Sequence, residues 1–221
     1  MRIRKYFRYG IALGVMTFAL SACSQESGTA VQTAAPTEAL PTNPVTEDSF
    51  AEAGADIPLL IGSNLNEWSG YFEAEPIEET EELTDALRSA YPDKTDLTAD
   101  QVDSTTIRLP LLTIMSHKAD QGGAPVYAYV FTYGNSYHGA EIPYVFDNVV
   151  DGTEEEQALA DQISQAWINF ARNDVPSADG IPEWEPYTRE SGATILLDTE
   201  SQLVYHHDQE LMSILAPDYV Y

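Results

Sequence analysis

Two side chains placed just beyond apolar runs could pass a proton between them. Ile57 to Phe72 reads I-P-L-L-I-G-S-N-L-N-E-W-S-G-Y-F, a short apolar run and a glycine followed by a polar loop that carries Glu67. Val126 to Phe146 reads V-Y-A-Y-V-F-T-Y-G-N-S-Y-H-G-A-E-I-P-Y-V-F. Its first part is β-branched and aromatic, the composition of a buried strand, and its second part is a loop holding His138 between Tyr137 and Gly139. A lone loop histidine is usually inert. A histidine and a carboxylate at the carboxyl ends of two strands of one sheet are a different matter, because open α/β sheets carry their sites there. Such a pair is two members of a Ser-His-acid relay, in which the acid fixes the imidazole and the imidazole handles the proton.

The elements that must hold these loops follow from period and composition. Leu83 to Tyr91 and Ala99 to Val102 read as short helices, and Leu109 to Ala119 as a buried helix leading into the Val126 strand. Thr153-Glu154-Glu155-Glu156 is an acidic helix start, favourable at the positive end of the helix dipole. Leu159, Ile163, Ala166, Trp167, Phe170 and Ala171 then step by three and four, which predicts the longest helix, ending near Asn173 ahead of Pro176. Pro182, Trp184 and Pro186 make a turn-rich connector, Thr194 to Leu197 a final short strand, and Leu203 to Leu215 a terminal amphipathic helix. His117 reads as a surface or helix-end residue. His206 and His207, adjacent on that last helix, would point apart and make a poor metal pair. The glutamate-rich run Glu73 to Glu82 reads as a solvated loop rather than a calcium loop, for it lacks spaced oxygen ligands.

These motifs resemble the C-terminal part of the type-B carboxylesterase (cholinesterase-like) family of α/β-hydrolases. I-G-S-N-L-N-E-W resembles the segment with that family's catalytic acid, which falls on Glu67, and Y-H-G-A-E-I-P-Y-V-F the segment with its catalytic histidine, which falls on His138. Arg108–Tyr133, Ala166–Pro176 and Trp184–Thr188 add further matches in the same order, so the likeness covers roughly residues 50 to 205. Many members have Asp-Glu-Gly where this chain has Asn66-Glu67-Trp68. The resemblance implies an α/β fold, carboxylic-ester substrates, catalysis through a serine with Glu67 and His138, and no metal or organic cofactor.

The larger departure is that the sequence contains neither the G-x-S-x-G nucleophile turn nor an H-G-G-G-type oxyanion loop. Ser69 and Ser136 are the serines nearest to Glu67 and His138 in sequence, and neither reads as a strand-to-helix elbow. The expected fold is therefore an incomplete α/β-hydrolase: its C-terminal half, a few sheet strands with packed helices. The expected chain has little or no ester turnover alone, because the attacking oxygen and the amides that stabilise its oxyanion are both missing. A second chain supplying the other half would restore both. It would also cover an apolar sheet edge otherwise left open. The alternative is a non-catalytic surface binding module or a vestigial one.

Composition bounds the setting. The net charge is -26, from 36 acidic and 10 basic residues, which repels phosphate backbones and argues against a nucleic-acid partner. Residues 1–22 read as a signal peptide: a basic start through Arg8, then an apolar run shorter than the ~20 residues that span a bilayer. Leu20-Ser21-Ala22-Cys23 resembles a bacterial lipoprotein box, and Cys23 is the single cysteine of the sequence, where lipidation would need it. Residues 23–49, with no apolar period, read as a lipidated cysteine and a disordered tether, and a coil of this length spans roughly 30 Å. Residues 50–221 read as the carboxylesterase type-B C-terminal region. The expected location is the bacterial cell envelope, with the protein exported and membrane-anchored through Cys23.

Overall fold

The computed structural model describes residues 52–68, 77–102 and 107–218. The signal segment, Cys23, the tether, Ser69 and the first part of the glutamate-rich run lie outside the described residues.

In chain order the elements are β1 (Leu59–Asn64), α1 (Glu81–Ala90), α2 (Arg108–Gln121), β2 (Val126–Phe131), α3 (Ile142–Val145), α4 (Glu154–Asn173), β3 (Ala193–Leu197), β4 (Gln202–Tyr205) and α5 (Gln209–Leu215). The strands form one sheet in the order β1-β2-β3-β4. The first three run parallel and β4 returns antiparallel along β3. This is an α/β fold in which side chains alternate between two covered faces. On β2, Tyr127 and Phe131 pack with Leu159, Ile163 and Ala166 of α4. Val126 and Ala128 point the other way, onto Leu112 and Met115 of α2. Val130 joins Leu83, Leu87, Leu211 and Met212 from α1 and α5. A strand apolar at every position is what burial on both faces requires, and β2 is the central case.

Local chemistry sets the element ends. The Thr153 hydroxyl accepts from the Glu156 amide at 3.2 Å and the Glu156 carboxylate accepts from the Thr153 amide at 2.8 Å, a reciprocal cap that starts α4. Asp174, at φ 64°, closes the same helix. At 20 residues this is the longest helix, ending at Asn173 as the apolar stripe predicts, with one exception on the stripe: Ala171, in the last turn, is exposed.

Two expectations are corrected. The strand at Ala193–Leu197 is not the last, because Gln202–Tyr205 pairs with it antiparallel, Ala193 opposite Tyr205 and Leu196 opposite Gln202. The terminal helix is consequently only Gln209–Leu215, and His206 and His207 lie in the turn before it. His206 adopts φ 45°, a left-handed conformation that ends the strand and forces the reversal.

The register of β1 on β2 depends on Gly62. A Cβ there would collide with the Tyr129 carbonyl oxygen and lie 2.5 Å from its ring carbons. The obstacle includes backbone, so a side chain would have to push the strands apart. Gly62→Val is expected to cost roughly 1–3 kcal/mol by overpacking, read as a lowered midpoint in a urea melt. It should also shift the loop after β1, because that loop hangs from the end of the strand.

Candidate active site

The two loops singled out from sequence leave adjacent parallel strands at the same end. Ser63 and Asn64 at the end of β1 pair with Val130 and Phe131 at the end of β2. The loops are then stapled by backbone hydrogen bonds. The Leu65 amide donates to the Phe131 carbonyl (2.9 Å), the Asn66 amide to the Ser136 carbonyl (3.1 Å), and the His138 amide to the Glu67 carbonyl (3.2 Å). Gly134, Ser136 and Gly139 all have positive φ, so the His138 loop turns sharply three times within six residues. The Ser136 hydroxyl donates to the Tyr133 carbonyl at 2.9 Å, which engages it in holding that turn.

These staples bring the side chains together. His138 Nδ1 and Glu67 Oε2 are 2.6 Å apart, a short, charge-assisted hydrogen bond. The Glu67 carboxylate is an acceptor only, so Nδ1 carries the proton and donates, which fixes the tautomer. The other carboxylate oxygen, Oε1, accepts from the Asn64 amide at 2.8 Å. Glu67 is 4% exposed, whereas the His138 side chain is 52% exposed. A buried acid behind an accessible imidazole is the arrangement a proton relay to solvent or substrate needs.

Burial pushes the Glu67 carboxyl above its ordinary value, and this outweighs the lowering by the Asn64 amide and by His138; the nearby Glu141 adds a smaller push upward. Asn64 Nδ2 donates to Glu141 Oε2 at 2.6 Å, so one asparagine contacts both carboxylates and separates them. Trp68 lies flat against the imidazole, with ring centroids 4.6 Å apart and planes 16° from parallel.

Asn64, Glu141 and Trp68 all lie inside the sequence motifs around Glu67 and His138. Their types carry no signal of a role; only the meeting of two loops, with Glu67 and His138 71 positions apart, gathers them around one acid–imidazole pair. The other histidines go elsewhere. His117 is half-buried along α2. The ring of His206 contacts the Glu190 carbonyl through Nε2 (2.9 Å), and that of His207 is buried against Tyr91. No group of three or more His, Cys, Asp or Glu able to hold a metal occurs among the described residues.

The sequence and the fold are similar to those of known proteins. The sequence profile of the carboxylesterase family matches residues 77–213. The chain belongs to the carboxylesterase family. Para-nitrobenzyl esterase of Bacillus subtilis is 28% identical over 208 residues, covering 80% of this chain and 41% of the esterase. Liver carboxylesterase of Sus scrofa is 31% identical over 172 residues, covering 64% of this chain and 30% of the enzyme. Among solved structures, an esterase of Clostridium hathewayi described as able to hydrolyse aliphatic aromatic polyesters superposes with a TM-score of 0.65 at 26% identity, covering 75% of this chain and 38% of that one. A para-nitrobenzyl esterase structure gives 0.51 at 26% identity, covering 70% and 38%. The fold is thus a partial α/β-hydrolase, and this carboxylesterase-family chain covers between 30% and 41% of the length of these relatives.

Proposed function

We propose that this chain contributes the acid and the histidine of a carboxylic-ester hydrolase, with Glu67 and His138 as its catalytic residues. The observation that carries the reading is the 2.6 Å contact between His138 Nδ1 and Glu67 Oε2 at the carboxyl edge of a parallel sheet. In this mechanism Glu67 holds the tautomer and stabilises the imidazolium. His138, through Nε2, takes the proton of an attacking serine and returns it to the leaving alcohol.

The 221 residues hold no G-x-S-x-G, so the serine and the oxyanion amides are assigned to a second polypeptide. The edge of β1, paired on one side only among the described residues, is where that polypeptide would continue the sheet. By itself the chain turns over esters weakly or not at all. Residues 1–22 act as an export signal, 23–49 as a lipidated cysteine and tether, and 50–221 as the folded region, held at a membrane of the bacterial envelope through Cys23.

A second reading, a non-catalytic surface module that retains the fold, is favoured by the same lack of a nucleophile turn. One experiment separates the two. Purified mature protein, and material co-purified with its envelope partners, is treated with a small activated ester and a serine-reactive phosphonate probe. The split-enzyme reading expects turnover and probe labelling of a co-purified chain, both lost with His138→Ala. The non-catalytic reading expects neither. Turnover by the isolated chain, with its own serine labelled, would overturn the assignment of the serine to a second chain.

A further inference from the structure

We propose that the cavity between the end of α1 and the β3–β4 hairpin binds a small, neutral, polyhydroxylated molecule of monosaccharide to disaccharide size. It encloses about 360 Å³, within the range of small-molecule sites, and neither Glu67 nor His138 lines it. Its walls are braced against each other. Lys94 Nζ donates to Asp198 Oδ2 at 2.6 Å, and Gln202 Nε2 donates to Asp93 Oδ2 at 2.8 Å. Each bond runs from the segment after α1 to the hairpin. Asp198 is fixed in turn, for its Oδ2 accepts from the Thr132 hydroxyl and its Oδ1 from the Thr199 amide, both at 2.9 Å. The Lys94 ammonium is therefore seated in advance, which spares a ligand the cost of ordering it.

Donors and acceptors are both left over. The ammonium gives one of its three N–H groups to Asp198 and keeps two. Asp93 Oδ1 and the Glu200 carboxylate line the same cavity and make no hydrogen bond among the described residues. Tyr91, Leu196 and Val204 add an apolar wall. His207 lines the cavity too, with two ring nitrogens that no group among the described residues satisfies.

Charge then selects the ligand class. Lys94 is cancelled by Asp198, while Asp93 and Glu200 stand uncompensated on a chain of net charge -26. A carboxylate or phosphate entering the cavity meets like charge. An organic ammonium finds acceptors but has no use for the Lys94 donors. A hydroxyl accepts and donates at once, so a polyol engages both sets, and the carbon face of a sugar ring suits the apolar wall.

The test is a titration of the full chain, ¹³C-labelled in histidine, with glucose and maltose, beside glucuronate and glucosamine. Binding is read by calorimetry and by the NMR signals of the His207 ring. Glucose or maltose is expected to shift those signals at millimolar concentration, with glucuronate about tenfold weaker. Lys94→Met should weaken the neutral sugars about tenfold, the loss expected when a charged donor is removed. Ser89 is an exposed residue of α1 that lines the cavity, so Ser89→Trp fills it from the surface and should abolish binding. That variant carries the comparison should Lys94→Met fail to fold. No response to either neutral sugar would overturn the proposal. Tighter binding of glucosamine than of glucose, or parent affinity in Lys94→Met or Ser89→Trp, would overturn it as well. None of these readings depends on ester turnover, so the hydrolase reading stands or falls separately.

Discussion

Asp208→Ala is expected to destabilise the fold by about 3–5 kcal/mol, the usual cost of stranding one half of a buried ion pair. Asp208 Oδ2 accepts from Arg108 Nε at 2.7 Å, and the two side chains are 1% and 4% exposed. The pair joins the first residue of α2 to the N-cap of α5, 100 positions later in the chain. Alanine would take from the buried guanidinium the carboxylate to which its Nε donates. Against a typical total stability of about 5–15 kcal/mol, such a loss is large. The check is a urea melt of the single variant beside the double variant Arg108→Met/Asp208→Leu. The double variant should recover most of the loss, because an apolar pair of similar volume has no charge to strand. A single-variant loss below about 1 kcal/mol would mean that the pair is solvated like a surface bridge.

The second large effect is on pH dependence, and it centres on the neighbouring residue. The His207 side chain is 5% exposed, its ring meets Tyr91 edge-on at 5.3 Å, and among the described residues neither ring nitrogen has a hydrogen-bond partner. Burial pushes its pKa down from 6.5 to about 4, with Asp208 opposing and Arg108 reinforcing the shift. Between pH 6.5 and about 4 the unfolded chain therefore binds a proton that the folded chain refuses. Stability rises with pH wherever the unfolded state holds more protons, so this contribution is complete above 6.5 and is lost as the pH falls to about 4. Its size is on the order of 3 kcal/mol.

Glu67 has the opposite sign. Its carboxyl is raised in the fold, so its contribution is present below 4.5 and is lost as the pH rises through the folded value. Comparison with His207→Phe removes that common background. The phenylalanine keeps the aromatic contact with Tyr91 and deletes the titration, so its stability curve should stay flatter than the parent's as the pH is lowered through this window. Parallel curves would show that His207 takes up its proton without opening the core.

His207 and Asp208 lie in a stretch where the sequence pattern and the fold disagree. Leu203 to Leu215 has apolar residues at spacings a helix accepts, yet its first residues are a strand. Gln202 to Tyr205 is short and only half-buried, so its own composition decides little. The antiparallel partner offered by β3 decides it, and the left-handed His206 then breaks the chain before α5. Local propensity is a weak preference that a ready-made ladder of backbone hydrogen bonds overrides. The helix α4 shows the reverse case. Its cap, its acidic first turn and its apolar stripe all agree, and twenty residues of consistent signal left tertiary context nothing to change.

The candidate site divides along the same line. Sequence alone determined the chain's family likeness, the apolar strands that must be buried on both faces, and the placing of Glu67 and His138 on loops just past strand ends. These are local properties, written in composition and short-range order. The tertiary structure decided that β1 and β2 are neighbours in register, that their loops are stapled backbone to backbone, and that Asn64, Glu141 and Trp68 gather around the Glu67–His138 pair. Contacts of that kind join residues far apart in the chain, and they exist only once the sheet has fixed which strand ends lie side by side.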